Sequence, residues 1–211
     1  VIRAALLDYG AGNIRSLSRA LEAAGARVTV LSSPSEGTWD VCVLPGVGHF
    51  GTAARRLQQS GLWGWLRDRV RAGVPLLGIC LGMQLLFESS EESPGVGGLG
   101  LLEGGVRRLP ETVKVPHMGW NVLRAVQPAP VLAGLADPVY VYYAHSYAAE
   151  PARPSDVVAV TDHGVEFAAV VCRGAVLGLQ FHPEKSGPVG LRILHNALQA
   201  LADPQASLAA P

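Results

Sequence analysis

Short apolar runs alternate with helical patterns across roughly the first ninety residues of this sequence, and few architectures tolerate that rhythm. Residues 2–7 are an apolar run, after which Ile14, Leu17, Leu21 and Ala24 recur at helical spacing and Gly25 stands where a helix would stop. Residues 28–31 and 41–44 are further strand candidates set between Ser, Pro and Gly. Leu62, Leu66 and Val70 give a second helical face ended near Gly73, and residues 75–79 read as a buried strand. Strands that are apolar throughout belong to sheets covered on both sides. The pattern therefore predicts an α/β fold with a central, mostly parallel (mixed) sheet and helices on both faces.

From Glu91 the pattern changes. A Gly-rich loop at 94–100 precedes short runs at 104–109, 113–115, 139–143, 157–160, 167–172 and 176–181, which predict antiparallel or mixed strands added to the first sheet. A last helix over 189–201 presents Leu191, Leu194, Leu198 and Leu201 on one stripe. No repeat and no linker divides the chain, so residues 1–202 are expected to form a single domain, with 203–211 a loose tail.

Composition narrows the partners. With 49% hydrophobic and 16% charged residues the chain is too apolar for disorder. Seventeen basic side chains balance seventeen acidic ones and no Lys/Arg run occurs, so nucleic acid is not expected as a partner. The uncharged stretch 72–87 is sixteen residues, interrupted by Gly73, Pro75, Gly78, Gly82 and Gln84, and is too short to span a bilayer. No membrane is expected either. The start of the chain, carrying Arg3 and Asp8, does not read as a secretory signal. Three cysteines without paired metal spacing fit neither a disulfide framework nor a zinc site, which points to a reduced, cytoplasmic setting.

The chemistry concentrates in two places. Gly78-Ile79-Cys80-Leu81-Gly82 follows a strand candidate and precedes a helical stretch at 83–88, the arrangement of a nucleophile elbow with sulfur in place of a serine hydroxyl. A helix amino terminus beneath the thiol would favour the thiolate. In the second segment, Gln180-Phe181-His182-Pro183-Glu184, residues two apart in an extended chain point the same way, so Glu184 can hold one imidazole nitrogen of His182 and leave the other to take a thiol proton. Cys80, His182 and Glu184 thus compose a Cys-His-acid arrangement for acyl transfer. Pro45-Gly46-Val47-Gly48 follows another strand candidate, and parallel strands end on one edge. N–H groups of Gly46 or Val47, with that of Leu81, are candidate oxyanion donors; by itself the segment also reads as an ordinary Gly-Pro turn. No phosphate loop, dinucleotide fingerprint or metal-ligand spacing occurs, so no cofactor and no metal are called for.

These motifs, the elbow running on through Met83-Gln84-Leu85-Leu86 and Phe181-His182-Pro183-Glu184-Lys185-Ser186 about a hundred residues later, resemble those of the class I (triad) glutamine amidotransferases. Asp8-Tyr9-Gly10 with Gly12-Asn13, Pro45 to Phe50, Pro116-His117-Met118-Gly119-Trp120-Asn121 and His145-Ser146-Tyr147 narrow the likeness to the glutaminase subunits of the histidine pathway within that family. The resemblance implies a glutaminase that releases ammonia to a separate (β/α)8-barrel synthase subunit. It makes Cys80 the nucleophile, His182 base and acid, and Glu184 the orienter. It puts Gly48, Gln84, Glu92, His145, Ser146 and Tyr147 around bound glutamine, and Asn13, Trp120, Tyr142 and Lys185 on the partner face. Trp120 and Tyr142 are of the type enriched at interfaces, and read equally as core aromatics.

Ammonia is mostly protonated at neutral pH, so a glutaminase feeding a synthesis must deliver it shielded from water, and a partner is physically expected. The two glycines of the 45–48 loop make a peptide flip easy, which suggests a loop not preorganised in the isolated chain. Two other readings stand beside this one. A free-standing γ-glutamyl hydrolase or peptidase would use the same triad, and a non-catalytic module would keep only the fold; the Asp8 to Asn13 segment and the run from His182 to Ser186 favour the amidotransferase over the first, and the intact triad counts against the second.

Overall fold

A computed structural model of the chain describes residues 1–203. The expected tail lies, from residue 204 on, outside the described residues. In chain order the elements are β1 (Ile2–Leu7), α1 (Ile14–Ala23), β2 (Ala26–Leu31), β3 (Val41–Leu44), α2 (Phe50–Gln59), α3 (Leu62–Arg71), β4 (Leu76–Ile79), α4 (Leu81–Gln84), β5 (Ser89–Ser90), β6 (Gly104–Arg108), β7 (His117–Ala125), β8 (Val139–His145), β9 (Tyr147–Pro151), β10 (Val157–Asp162), β11 (Glu166–Arg173), β12 (Val176–Leu179) and α5 (Gly187–Ala202).

The main sheet has nine strands in the order β2-β1-β3-β4-β12-β11-β10-β7-β8. The first five are parallel to their neighbours and the remainder antiparallel. A second sheet joins β5, β6 and β9. Along β1, Ala4 and Leu6 turn to one face, where Leu17 and Leu21 of α1 and Ile193, Leu194 and Leu198 of α5 cover them. Ala5 and Leu7 turn to the other, against Ala53, Ala54 and Leu57 of α2 and Leu62 and Leu66 of α3. This two-sided burial is why β3 and β4 are apolar throughout and β1 from Ala4 on, whereas the edge strand β2 carries exposed Arg27 and Thr29.

Several boundaries differ from the sequence reading. The whole of α2 was not anticipated: Phe50, Ala53, Ala54 and Leu57 are its buried stripe, but alanine and glycine carry too little apolar signal. Nor was β7, where exposed Met118 and Trp120 are interleaved with His117, Gly119 and Asn121 and no continuous apolar run forms. Residues 113–115 are not a strand; Val113 and Val115 pack against the core from an irregular segment. The expected helix at 83–88 is instead the single turn α4, and the strand expected to reach residue 181 ends at Leu179.

Topology places three loops side by side. β3, β4 and β12 are adjacent and parallel, with Leu44 opposite Gly78 and Ile79 opposite Leu179. Their carboxyl ends deliver the 45–48 loop, Cys80 and the 180–184 segment to one edge of the sheet, the usual place for a ligand site in such folds. β8, last in the sheet order, returns to the same edge, where the carbonyl of Tyr142 accepts the N–H of His182 at 2.8 Å.

Candidate active site

The turn from β4 into α4 is held open by glycine. Cys80 has φ 55° and ψ −113°, and it is the one non-glycine residue at positive φ among those described. Such a conformation costs on the order of 1–3 kcal/mol and persists only where its surroundings impose it. Here β3 imposes it: a Cβ on Gly82 would sit 1.9 Å from the Leu44 carbonyl oxygen, and one on Gly78 would sit 2.9 Å from the Gly82 oxygen. Backbone passes so close to backbone that no side chain fits, and the cysteine is thrust toward the edge. Because α4 is a single turn, the expected contribution of a helix dipole beneath the sulfur is correspondingly small.

The other two cysteines differ sharply. Burial pushes the Cys42 and Cys172 thiols up to about 12, so both stay protonated at neutral pH.

His182 Nδ1 lies 2.9 Å from Glu184 Oε1, and both side chains are only 4% exposed. Burial alone would push the imidazole down. Hydrogen bonding and charge from the Cys80 sulfur and the Glu184 carboxylate outweigh it and carry His182 up to about 10. The site therefore favours the imidazolium form of His182. Glu184 Oε2 is buried and has no hydrogen-bond partner among the described residues.

A pocket of about 250 Å³ opens over the sulfur, small enough to limit its occupant to a molecule of modest size. Cys80, Leu81 and His182 line it, with Val47 and Gly48 on one side and Gln84, Glu92, His145, Ser146, Tyr147 and Lys185 on the others. Gly46 and Glu184 stand behind this wall. Pro116 and Met118, which the sequence marks only as part of a motif, also line the pocket. A larger hollow of about 830 Å³, between Leu109 and Phe167, holds neither a cysteine nor a histidine, so the smaller pocket is the chemical one.

The 45–48 loop is not arranged to receive an oxyanion. Leu81 N–H donates to the Gly46 carbonyl at 3.3 Å, so a carbonyl rather than an N–H faces the elbow. A Cβ on Gly46 would meet Leu81 Cβ at 2.8 Å and Gly82 N at 2.9 Å, which explains glycine there. The buried Tyr9 hydroxyl donates to the Pro45 carbonyl at 2.6 Å and anchors the preceding peptide. Burial raises the Tyr9 phenol well above its ordinary value, keeping it a donor.

Glu92 has a structural task as well. Its Oε2 accepts the N–H of Phe50 at 2.7 Å, capping the start of α2. His145 Nδ1 lies 2.9 Å from the Tyr147 carbonyl and its Nε2 2.9 Å from His117 Nδ1. A carbonyl only accepts, so His145 carries its proton on Nδ1, and Nε2 accepts from His117. Asn121 Nδ2, 3.2 Å from His117 Nε2, completes a chain of two neutral histidines that the sequence did not suggest.

Burial lowers His145 to about 3 and His117 to about 4, with neighbouring His163 pressing the same way on both. In the unfolded chain both would titrate near 6.5. Their stabilising contribution is therefore complete above pH 6.5 and is lost as pH falls toward 4 and then 3. Urea unfolding measured across that window should show stability falling by up to about 1.4 kcal/mol per pH unit for each group. His117→Gln should flatten part of that slope.

On the expected partner face, Trp120 is 57% exposed, which removes its reading as a core residue. Its ring meets that of Tyr142 edge-on at 6.0 Å, and Lys185 Nζ lies 5.7 Å from the Tyr142 ring centre. Those three form one cluster beside the pocket. Asn13 is exposed at the start of α1 and is not part of it.

Comparison with known proteins gives the family and the fold. Residues 5–201 match the family model described as glutamine amidotransferase class-I. The chain is 50% identical over 201 residues to the imidazole glycerol phosphate synthase subunit HisH of Deinococcus radiodurans, covering 93% of each. It is 47% identical over 193 residues to the HisH subunit of Moorella thermoacetica, covering 91% of this chain and 92% of that one. A chain in the structure of PurLQS from Thermotoga maritima superposes with a TM-score of 0.74 at 21% identity, covering 95% and 99%, and shares the fold. No helix among the described residues is long and apolar enough to cross a membrane.

Proposed function

This chain belongs to the class I glutamine amidotransferases, and from that premise we propose that it is the glutaminase subunit of an imidazole glycerol phosphate synthase. It hydrolyses glutamine to glutamate and passes the ammonia to a separate (β/α)8-barrel synthase subunit for histidine biosynthesis in the cytoplasm. Residues 1–202 act as one amidotransferase domain. The observation that carries this reading is the meeting of Cys80, His182 and the 45–48 loop on adjacent strand ends around a pocket of about 250 Å³.

The geometry supports a two-step acyl transfer. The Cys80 thiolate attacks the side-chain carboxamide carbon of glutamine. A C–S bond forms and the carbonyl electron pair moves to oxygen. His182, held in its imidazolium form by Glu184, gives its proton to the departing ammonia. Water then attacks the glutamyl thioester, losing its proton to His182, and the C–S bond breaks with its electrons returning to sulfur. Gln84, Glu92 and the 145–147 segment orient the amino-acid end of the substrate.

The loop supports a gate on this chemistry. With Leu81 N–H bound to the Gly46 carbonyl, rotating the Gly46–Val47 peptide would free that N–H and turn the Val47 N–H inward. Two donors then meet the oxyanion, a stabilisation worth several kcal/mol when both are in place. Trp120, Tyr142 and Lys185, beside the pocket, face the synthase subunit, whose docking favours the rotated form.

The test is a comparison of substrates. In the complex with the synthase subunit, release of glutamate should be Cys80-dependent with free glutamine and far slower with γ-glutamyl peptides, which are larger than a pocket of about 250 Å³ can enclose. Comparable turnover of γ-glutamyl peptides would replace the amidotransferase reading with that of a free-standing hydrolase.

A further inference from the structure

We propose that Gln180 is a further catalytic residue of this glutaminase: its side-chain N–H carries part of the charge on the Cys80 sulfur, both in attack and when the sulfur departs from the thioester. The inference rests on the reading of Cys80 as nucleophile given above.

Gln180 and His182 flank Phe181 in the extended segment after β12, so both point to the side where Cys80 lies, while Phe181 turns into the core. Gln180 is fully buried, and its Nε2 lies 3.9 Å from Cys80 Sγ. The orientation of its amide follows from its neighbours. Gln84 Nε2 donates at 2.8 Å to the carbonyl of Tyr147, which can only accept, and the same nitrogen lies 3.1 Å from Gln180 Oε1. Gln180 must therefore offer its oxygen to Gln84 and its NH2 to the sulfur.

A buried amide is costly unless its groups are partnered, and an apolar side chain would fill the same space without that cost. The partner that this NH2 has is the nucleophile. A long contact to a neutral thiol becomes a charge-assisted hydrogen bond when the sulfur is ionised. That occurs at two points of the cycle, before attack and as the C–S bond breaks during hydrolysis. The second point matters more for turnover, because a better-stabilised thiolate is a better leaving group. The 180–184 segment thus presents two groups to one sulfur: a charged one that moves protons and a neutral one that does not.

The experiment measures steady-state glutamate release and intact protein mass during turnover, under the conditions where the wild type is most active. Gln180→Leu removes the donor. Gln180→Glu keeps size and shape and still accepts from Gln84, but puts a carboxylate oxygen against the sulfur. For Gln180→Leu, kcat should fall about tenfold to a hundredfold, KM should fall with it, and glutamyl-enzyme should accumulate. Gln180→Glu should lose more.

A folded variant with kcat within about twofold of wild type overturns the role, as does loss of folding in both variants, which would assign Gln180 to the core alone. A kcat loss without any glutamyl-enzyme also overturns it. If the wild type shows no Cys80-dependent release, the reading of the nucleophile falls together with this proposal; wild-type release with unaffected variants removes only the role of Gln180.

Discussion

In the complex with the synthase subunit, Cys80→Ala is expected to reduce glutamate release from glutamine by a factor on the order of 10⁴ or more, while leaving the fold and glutamine binding in place. Removal of a nucleophile from a triad costs nearly as much as removal of the whole triad, because the remaining groups act only through it. Alanine occupies the same backbone conformation at φ 55° and is smaller than the side chain it replaces, so nothing in the elbow must move. Glutamine should still enter, since Gln84, Glu92 and the 145–147 segment are untouched. Calorimetric titration should show binding within a few-fold of wild type, and thermal melts should coincide within a degree or two. Neither Cys42 nor Cys172 can substitute, both being buried with their thiols pushed up to about 12. Residual activity close to wild type would move the nucleophile elsewhere.

The second large effect is on stability. Gly82→Ala should destabilise the chain by about 3 kcal/mol or more, on the order of 10 °C in Tm for a chain of this length. The new Cβ would lie 1.9 Å from the Leu44 oxygen and 2.8 Å from its carbonyl carbon, and both belong to backbone of a buried strand. No rotamer relieves that contact; β3 and β4 would have to part. Gly64→Ala is the control. Gly64 lies within α3 with nothing near its added Cβ, and the substitution should stabilise by about 0.5–1 kcal/mol through helix propensity. Equal melting temperatures for the two variants would show that the elbow is not as tightly packed as described.

The parallel half of the fold was legible because its physics is local. β3 and β4 are apolar throughout and β1 from Ala4 on, since both faces are covered, and α1 carries Leu17 and Leu21 on one stripe. α2 escaped notice because its buried face is mostly alanine and glycine, and β7 because its inward residues His117, Gly119 and Asn121 are polar or bare and leave no apolar run to announce it. At the site, Cys80, His182 and Glu184 could be read from spacing, as the elbow and the two-residue period each dictate direction. Gln180 obeys the same period and was passed over, because an amide next to an apolar run gives no sign of what it touches until the strand order brings β12 beside β4. The pairing of His117 with His145 depends on β7 lying against β8, a long-range fact that no local pattern encodes. The orientation of the Gly46 carbonyl is equally invisible, for a glycine accepts either peptide orientation and only the neighbouring Leu81 N–H selects one.

In the proposed glutaminase, a synthase partner assembles the oxyanion donors. The most direct test measures glutamate release from glutamine by the purified chain alone, then with the barrel synthase subunit and that subunit's nucleotide ligand. Release should be negligible alone and strong and Cys80-dependent in the complex, by a factor on the order of 10² or more for restoring one oxyanion donor. Equal rates with and without the partner would contradict this assembly.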